Sequence, residues 1–468
     1  MADALKEGLI KKSDYLPRKE LELLKVAFDF AEEAHDGQKR ATGEPYITHP
    51  IAVCEILLAY HADITTLISA LLHDVVEDTS VPILEIDRRF GERVAEIVEG
   101  LTKVEKGKVR KEEYSAINTE KLLFASVKDI RVAAVKIADR LHNMRTLAVK
   151  RVEKKVPYAN ETLIFFSPLA EKLGLYKLQE ELEELGFSYL NPPKFKNIKT
   201  LMNNYSNIFT KIYNNCAIEI MKEGAPFITE LKWTKVPLYQ SYSLLQEEHD
   251  LADLFFINVI TKSKMDCYTA LGVIHKLYKP SLHQMVDNIA IEISPFLKQI
   301  NTKVLINNIE VHFIIQSEKD REIYDAGVFG LLRNGLTMEE IRALSGDLLG
   351  DSIHAVKSIT NTPIEFEELI SFELLQREMT VFTPKLDVIA LPEGSTIIDF
   401  AFSLNPQIAR KMSNAKVNGE WKPIHTVVHD MDIVEICTTS KEMVSFDWLN
   451  YAQTSKAYKA ISELLKIQ

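Results

Sequence analysis

Residues 70–79, Ala-Leu-Leu-His-Asp-Val-Val-Glu-Asp-Thr, constrain this chain more than any other part of its sequence. Their apolar side chains recur at helical spacing and a proline follows soon after, so the pattern predicts a short amphipathic helix. Because residues three and four apart share a helix face, Asp74 and Asp78 would lie together, with Glu77 beside them. Such carboxylates repel one another unless a cation or a raised pKa relieves them. A divalent metal held by His73 and Asp74 would provide that relief.

Two further segments favour a metal site over the usual alternative, which is a solvated acidic turn with a satisfied histidine. Upstream, Gly-Glu-Pro-Tyr-Ile-Thr-His-Pro at 43–50 places His49 just ahead of another apolar helix. Downstream, residues 136–147 embed Asp139 in a helix whose other face is apolar. The candidate ligands are therefore two imidazoles and two carboxylates, a mixed set suited to Mn, Fe or Zn.

The order of these residues, each on its own helical segment, resembles the HD superfamily of metal-dependent phosphohydrolases. The flanking sequences are more specific and resemble the hydrolase domain of the Rel/Spo homologue family, the long enzymes that make and destroy the alarmone (p)ppGpp. The sequences that carry the resemblance are Gly37-Gln38-Lys39-Arg40, residues 43–50 and 73–79, Phe90-Gly91, Thr102-Lys103, residues 136–147, Glu161-Thr162, Pro168-Leu169-Ala170 and Gly174.

The resemblance implies a role for each matching position. The positions that match the family's metal ligands, where the metal is typically Mn²⁺, are His49, His73, Asp74 and Asp139. Glu77 and Asp78 match the carboxylates that activate water; alternatively, they orient the ligands. The positions that match the nucleotide pocket are Arg40, which stacks on guanine in the family, Thr42, Asn143 and Thr146.

Other positions near the pocket leave alternatives open. Lys136 and Arg140 can neutralise substrate phosphates or pair with a carboxylate, and for Arg140 the salt bridge is slightly favoured. The residue after Arg40, usually basic in the family, is Ala41, which implies weaker or differently supported substrate binding. His35 and His142 are predicted to be core or surface histidines and not ligands.

Composition limits the remaining function classes. No run of eighteen apolar residues occurs and residues 1–20 lack a signal-peptide core, so we expect no membrane span or secretion signal. The formal net charge of −11 disfavours nucleic-acid binding by the whole chain. Cysteine spacing indicates neither a disulfide framework nor a structural zinc site, and a cytoplasmic location is expected; the cysteines are Cys54, Cys216, Cys267 and Cys437.

The sequence predicts a multidomain chain with an all-α HD-type hydrolase domain, an α+β nucleotidyltransferase-like domain and a β-grasp TGS domain. Helical periodicity is dense as far as Asn191-Pro192-Pro193, and strand-like alternation follows at 254–260 and 308–315. From Met379 the sequence resembles the TGS module that the family carries at this place. The expected domains are 1–195 (hydrolase), 196–335 (synthetase-like), 336–374 (helical connector), 375–440 (TGS) and 441–468 (C-terminal helix).

The second domain resembles the family's alarmone synthetase, which transfers pyrophosphate from ATP to GDP or GTP, but its reacting positions differ. The family's Glu-Val-Gln-Ile-Arg strand reads His312-Phe313-Ile314-Ile315-Gln316, and Asp253 remains as the one matching metal carboxylate. Three other positions depart from the family. Asn258 stands where the family has an arginine, and residues 239–248 carry acids where the family has a basic sequence. Residues 295–299 replace the family's loop that carries a tyrosine. Because phosphoryl transfer relies on a metal and cations, we predict an inactive synthetase with a structural or regulatory role.

The TGS-like sequence also departs from its family. Asp-Phe-Ala-Phe-Ser-Leu-Asn at 399–405 replaces Asp-Phe-Ala-Tyr-x-Ile-His, whose histidine is implicated in tRNA contact. Together with the acidic net charge, this disfavours binding to the ribosome or tRNA. A regulatory protein or a second copy of the chain stays open as a partner.

The leading hypothesis is manganese-dependent hydrolysis of the 3′-pyrophosphate of guanosine tetra- or pentaphosphate, which yields GDP or GTP and pyrophosphate. One alternative is an HD phosphohydrolase acting on another nucleotide, such as NADPH. A second is a non-enzymatic alarmone sensor, although a sensor has no need of Glu77 and Asp78 together.

Overall fold

The computed structural model describes residues 2–40, 42–105, 107, 110, 113–149, 151–224, 226–246, 250–281, 285–291, 294–333, 335–375 and 378–465. The chain forms two compact units, each assembled from two segments. The first unit comprises Met1–Glu99 and Ala134–Leu336, and the second comprises Gly100–Ala133 and Thr337–Gln468. The five-part division expected from the sequence stays a prediction.

The N-terminal part of the chain is helical because its apolar residues recur at three- and four-residue spacing. In the second helix, for example, Leu24, Ala27, Phe28 and Ala31 form one buried stripe. The helices are α1 (Ala2–Lys12), α2 (Arg18–Ala34), α3 (Thr48–Leu58), α4 (Ile64–Leu72), α5 (Val75–Asp78), α6 (Ile83–Phe90), α7 (Glu92–Leu101), α8 (Tyr114–Lys128), α9 (Arg131–Arg145), α10 (Val152–Glu161), α11 (Ser167–Lys172) and α12 (Tyr176–Leu190), with a 3₁₀ turn at Leu147–Val149 and a π-helical segment at Thr162–Phe166.

The prediction of one continuous helix over 70–79 was wrong. Helix α4 ends at Leu72 and α5 begins at Val75, and between them Asp74 has φ −100° and ψ −6°, away from regular helical values. The predicted shared face is nevertheless confirmed, since the Asp78 amide donates to the Asp74 carbonyl at 2.8 Å. The break therefore turns the chain at His73 and Asp74 without separating the carboxylates of Asp74 and Asp78.

The rest of the first unit is an α+β fold. The elements are α13 (Pro192–Gly224), β1 (Ile228–Lys235), α14 (Leu238–Gln246), a 3₁₀ turn at Leu251–Leu254, β2 (Phe255–Thr261), α15 (Lys264–Leu277), β3 (Lys279–Pro280), β4 (Val286–Asp287), α16 (Asn288–Ile291), β5 (Ile300–Ile306), β6 (Ile309–Ser317), α17 (Glu318–Ala326) and α18 (Val328–Leu332). The predicted strands and the helix from Cys267 are confirmed. Pro192 begins α13, in agreement with the preference of proline for a first helical turn.

The sheet order is β1-β2-β6-β5-β3, with β4 also paired to β5. Strands β2 and β6 run parallel, whereas the other pairs are antiparallel. Because side chains alternate along a strand, Phe255, Ile257 and Phe313 are buried in the core on one face, while Phe256 and His312 lie on the other.

The second unit joins α8 to the C-terminal third of the chain. Its further elements are α19 (Met338–Ser345), a π-helical segment at Gly346–Gly350, α20 (Asp351–Ile359), α21 (Pro363–Leu375), β7 (Glu378–Phe382), β8 (Val388–Pro392), α22 (Ile397–Leu404), α23 (Pro406–Ala409), β9 (Met412–Val417), β10 (Glu420–Lys422), β11 (Val434–Thr438), a 3₁₀ turn at Phe446–Asn450 and α24 (Ser455–Leu464). Strands β10, β9 and β11 form one sheet, and β7 pairs with β8. The predicted fold class is confirmed.

The predicted single C-terminal helix was wrong, because residues between the 3₁₀ turn and α24 bind the buried carboxylate of Asp399. That carboxylate accepts the amides of Gln453 at 3.0 Å and Thr454 at 2.8 Å. It also accepts the Thr396 amide at 2.7 Å, which caps α22. Among the residues that the structure describes, none of the helices has the length and apolar character needed to cross a membrane.

Candidate metal centre

The structure brings the four predicted metal ligands together, and we call them the HD cluster: His49 in the first turn of α3, His73 and Asp74 at the break between α4 and α5, and Asp139 in α9. His49 Nε2 lies 3.4 Å from Asp74 Oδ2 and 3.2 Å from Asp139 Oδ1. His73 Nε2 lies 3.2 Å from Asp74 Oδ2 and 4.0 Å from Asp139 Oδ1. Both imidazoles are buried.

Ligand atoms of His49, His73 and Asp74 lie within 4.8 Å of one another, close enough to hold a divalent cation. His73 Nδ1 lies 2.8 Å from the Ala70 carbonyl, which can only accept, so the lone pair of this ring is on Nε2 when the ring is neutral. Nε2 is buried and finds no hydrogen-bond partner among the described residues, although Asp74 Oδ2 is near. A buried lone pair that faces carboxylates is a ready metal ligand.

The electrostatics of the cluster also favour added positive charge. Burial by itself would lower the pKa of His73, but Asp74 and Asp139 outweigh it and raise the pKa to about 9. Burial likewise opposes the charged form of Asp139, yet the Lys136 ammonium, with Nζ 2.9 Å from Oδ2, helps to hold the pKa well below its usual range. Without a metal, therefore, the carboxylates stay ionised and attract a proton to His73.

The candidate water-activating carboxylates lie on α5 beside the cluster. Both Asp78 and Glu77 are exposed. Asp78 Oδ2 accepts a hydrogen bond from the Tyr46 hydroxyl at 2.7 Å, and the same hydroxyl lies 2.7 Å from Asp74 Oδ2. One predicted base is thereby connected to a predicted metal ligand through a tyrosine that the sequence reasoning did not identify.

Several predicted substrate residues also converge on Asp139. Asn143 Nδ2 donates to Asp139 Oδ1 at 2.6 Å, and Arg40 donates to Asn143 Oδ1 at 3.1 Å. Lys136 donates to the other oxygen of Asp139, as described above. Arg40, Asn143 and Lys136 therefore lie at one side of the HD cluster, where they could contact a bound nucleotide.

Thr42 and Thr146 are less closely tied to the cluster. Thr42 is exposed. Ala41, the residue whose identity implies weaker or differently supported substrate binding, lies outside the described residues. Thr146 is half-buried, and its hydroxyl donates to the carbonyls of His142 at 3.2 Å and Asn143 at 3.3 Å. Neither threonine contacts a member of the HD cluster in the hydrogen bonds found for the described chain.

Arg140 forms a salt bridge, the alternative that the sequence slightly favoured. Its Nη2 lies 2.9 Å from Glu161, and its guanidinium carbon lies 4.0 Å from the ring centre of Tyr158 and 3.9 Å from that of Phe166. The side chain is 8% exposed, so little of it is accessible to a nucleotide. Arg140 holds α9 against the segment that follows it.

His142 is more closely connected to the cluster than predicted. Its Nδ1 lies 2.7 Å from Nδ1 of His49. With Nε2 of His49 as a metal ligand, Nδ1 of His49 would carry the ring proton and donate to His142. Burial and the neighbouring His49 lower the pKa of His142 to about 4, so the ring accepts as a neutral imidazole. Its spacing of three residues from Asp139 on α9 was the available sequence signal.

The synthetase-like sheet carries a second cluster, here called the remnant cluster: Asp253, Lys303 and His312. His312 Nε2 lies 2.8 Å from Asp253 Oδ1, and Lys303 Nζ lies 3.0 Å from the same oxygen. An imidazole and an ammonium therefore contact Asp253, the one carboxylate that matches a metal ligand of the synthetase family. A cavity of about 430 Å³ lies beside Lys303 and His312.

The loop at 295–299, predicted to replace a guanine-stacking tyrosine, packs inside the first unit. Phe296 is 2% exposed. A Cβ built on Gly174, which has φ +66°, would lie 2.5 Å from the Phe296 ring, so glycine is needed for this approach. The aromatic side chain of this loop is used for packing and is not available to a nucleotide base.

Comparison with known proteins places these features in a family context. Models of the HD domain and the TGS domain match residues 27–176 and 379–438. The chain is 35% identical over 467 residues to the bifunctional (p)ppGpp synthase/hydrolase SpoT of Escherichia coli K12, covering 97% of this chain and 66% of SpoT. It is 33% identical over 477 residues to the guanosine-3′,5′-bis(diphosphate) 3′-pyrophosphohydrolase of Aquifex aeolicus, covering 99% and 67%.

The chain thus spans about two thirds of the length of the curated relatives it matches. Among solved structures, a metazoan orthologue of SpoT described as hydrolysing ppGpp is 25% identical and covers 38% of this chain and 98% of its own, with a TM-score of 0.29.

Proposed function

The chain belongs to the Rel/Spo homologue family of (p)ppGpp enzymes, and we propose that it hydrolyses the 3′-pyrophosphate of (p)ppGpp to GDP or GTP plus pyrophosphate. The observation that carries this proposal is the HD cluster, in which ligand atoms of His49, His73 and Asp74 lie within 4.8 Å of one another and Asp139 Oδ1 lies 3.2 Å from His49 Nε2. Two exposed carboxylates, Glu77 and Asp78, lie on the next helix. Ligands and bases are therefore separate groups in one site.

The proposed metal is Mn²⁺, held by His49, His73, Asp74 and Asp139. Two imidazole nitrogens and two carboxylate oxygens form a donor set that Mn²⁺ accepts, and the metal-capable group found among the described residues contains no cysteine that would select a softer ion. When bound, a divalent cation polarises phosphoryl oxygens and acidifies the attacking water.

The proposed reaction uses Asp78, with Glu77 beside it, as the general base. The carboxylate accepts a proton as the water oxygen bonds to the phosphorus attached to O3′ of the ribose. The bond between that phosphorus and O3′ breaks, pyrophosphate leaves, and O3′ takes up a proton to become the 3′-hydroxyl of GDP or GTP. Atoms and charge balance without a further reactant.

Substrate binding is proposed to use Arg40, Thr42, Asn143, Thr146 and Lys136. Arg40 is held by Asn143, and its planar guanidinium is the kind of group that stacks on a purine base. Lys136 lies against Asp139, where an ammonium would offset phosphate charge in an acidic protein. Arg140, enclosed by Tyr158 and Phe166, is proposed to support α9 and not to contact the substrate.

We further propose that the synthetase domain is inactive. The remnant cluster pairs Asp253 with Lys303 and His312, so the carboxylate that would hold Mg²⁺ is already neutralised. The Asn258 amide, in place of an arginine, donates to Thr234 at 2.8 Å and is 3% exposed. Phosphoryl transfer without metal and cations at the phosphates has no means of stabilising the developing charge.

The proposed location is the cytoplasm. The four cysteines form no disulfide in the described part of the chain, and three of them are buried. Free, buried cysteines are usual for proteins of a reducing compartment.

The test is product analysis with purified protein and Mn²⁺. We expect ppGpp to give GDP and pyrophosphate in equal amounts, and NADPH in a parallel reaction to remain intact. Loss of NADPH with survival of ppGpp would favour a hydrolase of another nucleotide. A variant carrying both Glu77→Gln and Asp78→Asn should bind ppGpp by calorimetry without turning it over; a wild type that also binds without turnover would be a sensor.

A further inference from the structure

Tyr46 contacts four residues in and around the HD cluster. Its hydroxyl lies 2.7 Å from Oδ2 of both Asp74 and Asp78. Its ring stacks on His35 with centroids 4.6 Å apart, and the guanidinium carbon of Arg40 lies 5.6 Å from its centre. The side chain thus touches a proposed metal ligand, a proposed base and a proposed guanine-stacking residue.

The loop that carries Tyr46 is fixed at both ends. The Arg40 amide donates to the Glu44 carbonyl at 2.8 Å, and the Tyr46 amide donates to the Gln38 carbonyl at 3.0 Å. These bonds close a hairpin-like turn, and Gly43 supplies the positive φ of +94° that the turn requires. Arg40 and Tyr46 therefore move together if the loop moves.

A second contact ties the same loop to α5. The Gln38 side-chain amide donates from Nε2 to the Asp78 carbonyl at 2.8 Å, and its Oε1 lies 2.9 Å from His35 Nδ1. His35, on which the Tyr46 ring stacks, is thereby held in place too. The backbone and the carboxylate of Asp78 are each bonded to the loop, by Gln38 and Tyr46 respectively.

From these contacts we propose that Tyr46 is a positioning residue for hydrolysis, one that sets the Asp78 carboxylate beside Asp74 and couples this placement to the Arg40 loop. The proposal rests on the proposed function. Asp78 is exposed, and without the hydroxyl its carboxylate would be repelled by Asp74 and free to rotate into solvent. A misplaced base is costly because proton transfer requires hydrogen-bond reach in the reacting geometry.

The coupling has a consequence for substrate binding. A purine base stacked on Arg40 would order the loop, and the ordered loop would hold Asp78 in position through Tyr46 and Gln38. Deleting the hydroxyl alone should therefore impair the chemical step, whereas deleting the ring should also weaken binding.

The experiment compares Tyr46→Phe, Tyr46→Leu and Tyr15→Phe in (p)ppGpp hydrolysis at saturating Mn²⁺. Tyr15 is the matched control, because its hydroxyl donates to the Ala62 carbonyl at 2.7 Å in the same unit, away from the HD cluster. For Tyr46→Phe we expect kcat to fall about 10- to 100-fold, as when a group that orients a ligand is lost, with KM changed less than about threefold. Tyr46→Leu should also raise KM, and Tyr15→Phe should match the wild type in both constants.

A kcat of Tyr46→Phe equal to that of Tyr15→Phe would overturn the proposal. The proposal would also be overturned if Tyr46→Phe and Tyr46→Leu showed the same kcat and the same KM. A second readout needs no turnover: Mn²⁺ titration followed by electron paramagnetic resonance. Tyr46→Phe should bind Mn²⁺ about tenfold more weakly, because Asp74 and Asp78 lose the hydroxyl whose one proton lies between them and helps to orient Asp74. If the wild type proved inactive on (p)ppGpp, the proposed function would fall, and unchanged Mn²⁺ affinity in Tyr46→Phe would overturn this inference separately.

Discussion

In the HD cluster two carboxylates and two imidazoles face one another around His73 Nε2, whereas in the remnant cluster a single carboxylate, Asp253, is met by an ammonium and an imidazole. Both contain an Asp–His contact of similar length, 3.2 Å for Asp74 with His73 and 2.8 Å for Asp253 with His312. The difference lies in the charge balance. A lysine pairs with a carboxylate in each cluster, Lys136 with Asp139 and Lys303 with Asp253, but the HD cluster has a second carboxylate, Asp74, against its two imidazoles.

This comparison shows why an Asp–His pair is insufficient to indicate a metal site. Repulsion between neighbouring carboxylates is relieved by a raised pKa or by added positive charge, which a divalent cation can supply. The remnant cluster has one matching carboxylate, and Lys303 already supplies its counter-charge. The HD cluster has a further carboxylate, Asp74, besides the one that Lys136 pairs with.

The largest effect is expected from Asp139→Asn set against Asp253→Asn. Loss of Asp139 removes a proposed ligand and leaves Lys136 without its counterion, so hydrolysis should fall by about 10³-fold or more. Asp253→Asn should leave hydrolysis within about twofold of the wild type, since the contacts of Asp253 with Lys303 and His312 lie in the remnant cluster and include no member of the HD cluster. Initial rates of GDP release measure both. Similar losses in the two variants would contradict the distinction between the clusters.

A smaller loss is expected from His142→Phe, which removes the acceptor of the proposed His49 Nδ1 hydrogen bond. The affinity for Mn²⁺ should fall by about 10- to 100-fold, the usual cost of losing a partner that orients a ligand. His142→Gln, which keeps an acceptor, should recover part of it. The Mn²⁺ concentration at half-maximal rate gives the comparison, and identical values for Phe and Gln would show that packing, not hydrogen bonding, matters here.

Metal removal should reveal the same distinction in stability. At Mn²⁺ concentrations of 100 times Kd, binding to the folded state adds about 2.7 kcal/mol to the free energy of unfolding. Thermal melting with Mn²⁺ and with a chelator should therefore differ by several degrees for the wild type and for Asp253→Asn. Asp139→Asn should show little difference. If Asp253→Asn abolished the Mn²⁺-dependent difference in melting temperature, the metal would bind at the remnant cluster and not at the HD cluster.

The smallest effect concerns the pH dependence of the remnant cluster. Burial opposes ionisation of Asp253, but Lys303 and His312 outweigh it and lower the pKa of this carboxyl. A depressed pKa adds stability that is present above the unfolded pKa, near 4, and is lost as pH falls through the folded value. For this partly exposed group the contribution should be no more than about 1 kcal/mol at pH 7.

Denaturant unfolding of the wild type and Asp253→Asn at pH 7 and at pH 3 measures this term. The difference in the free energy of unfolding between the wild type and Asp253→Asn should be smaller at pH 3 than at pH 7. A gap that widens at low pH would mean that Asp253 is protonated in the native state.

The sequence predicted the elements whose signal is local. Strands β2 and β6 and helix α15 follow from alternation and periodicity within a few residues, and the stripe in α2 follows from helical spacing. The four ligands of the HD cluster could also be proposed, because each lies in a distinctive short sequence on its own helical segment. The structure confirms that these four residues come together; their role as ligands stays a prediction.

What the sequence did not reveal depends on contacts between distant segments. The break at His73 and Asp74 occurs inside a run of helix-compatible residues, and the place where Tyr46 meets Asp74 and Asp78 is set by how the loop packs on α5. The remnant cluster is another case, since Lys303 and His312 are neighbours only through the pairing of β5 with β6. Local periodicity contains no information about such pairs.

Two parallel reactions of the wild-type protein test whether the HD cluster supports chemistry and the remnant cluster does not. One contains ppGpp and Mn²⁺, and the other contains ATP, GDP and Mg²⁺. We expect release of GDP and pyrophosphate in the first reaction and no ppGpp in the second. Survival of ppGpp in the first reaction, or formation of ppGpp in the second, would contradict the proposed division of roles between the two clusters.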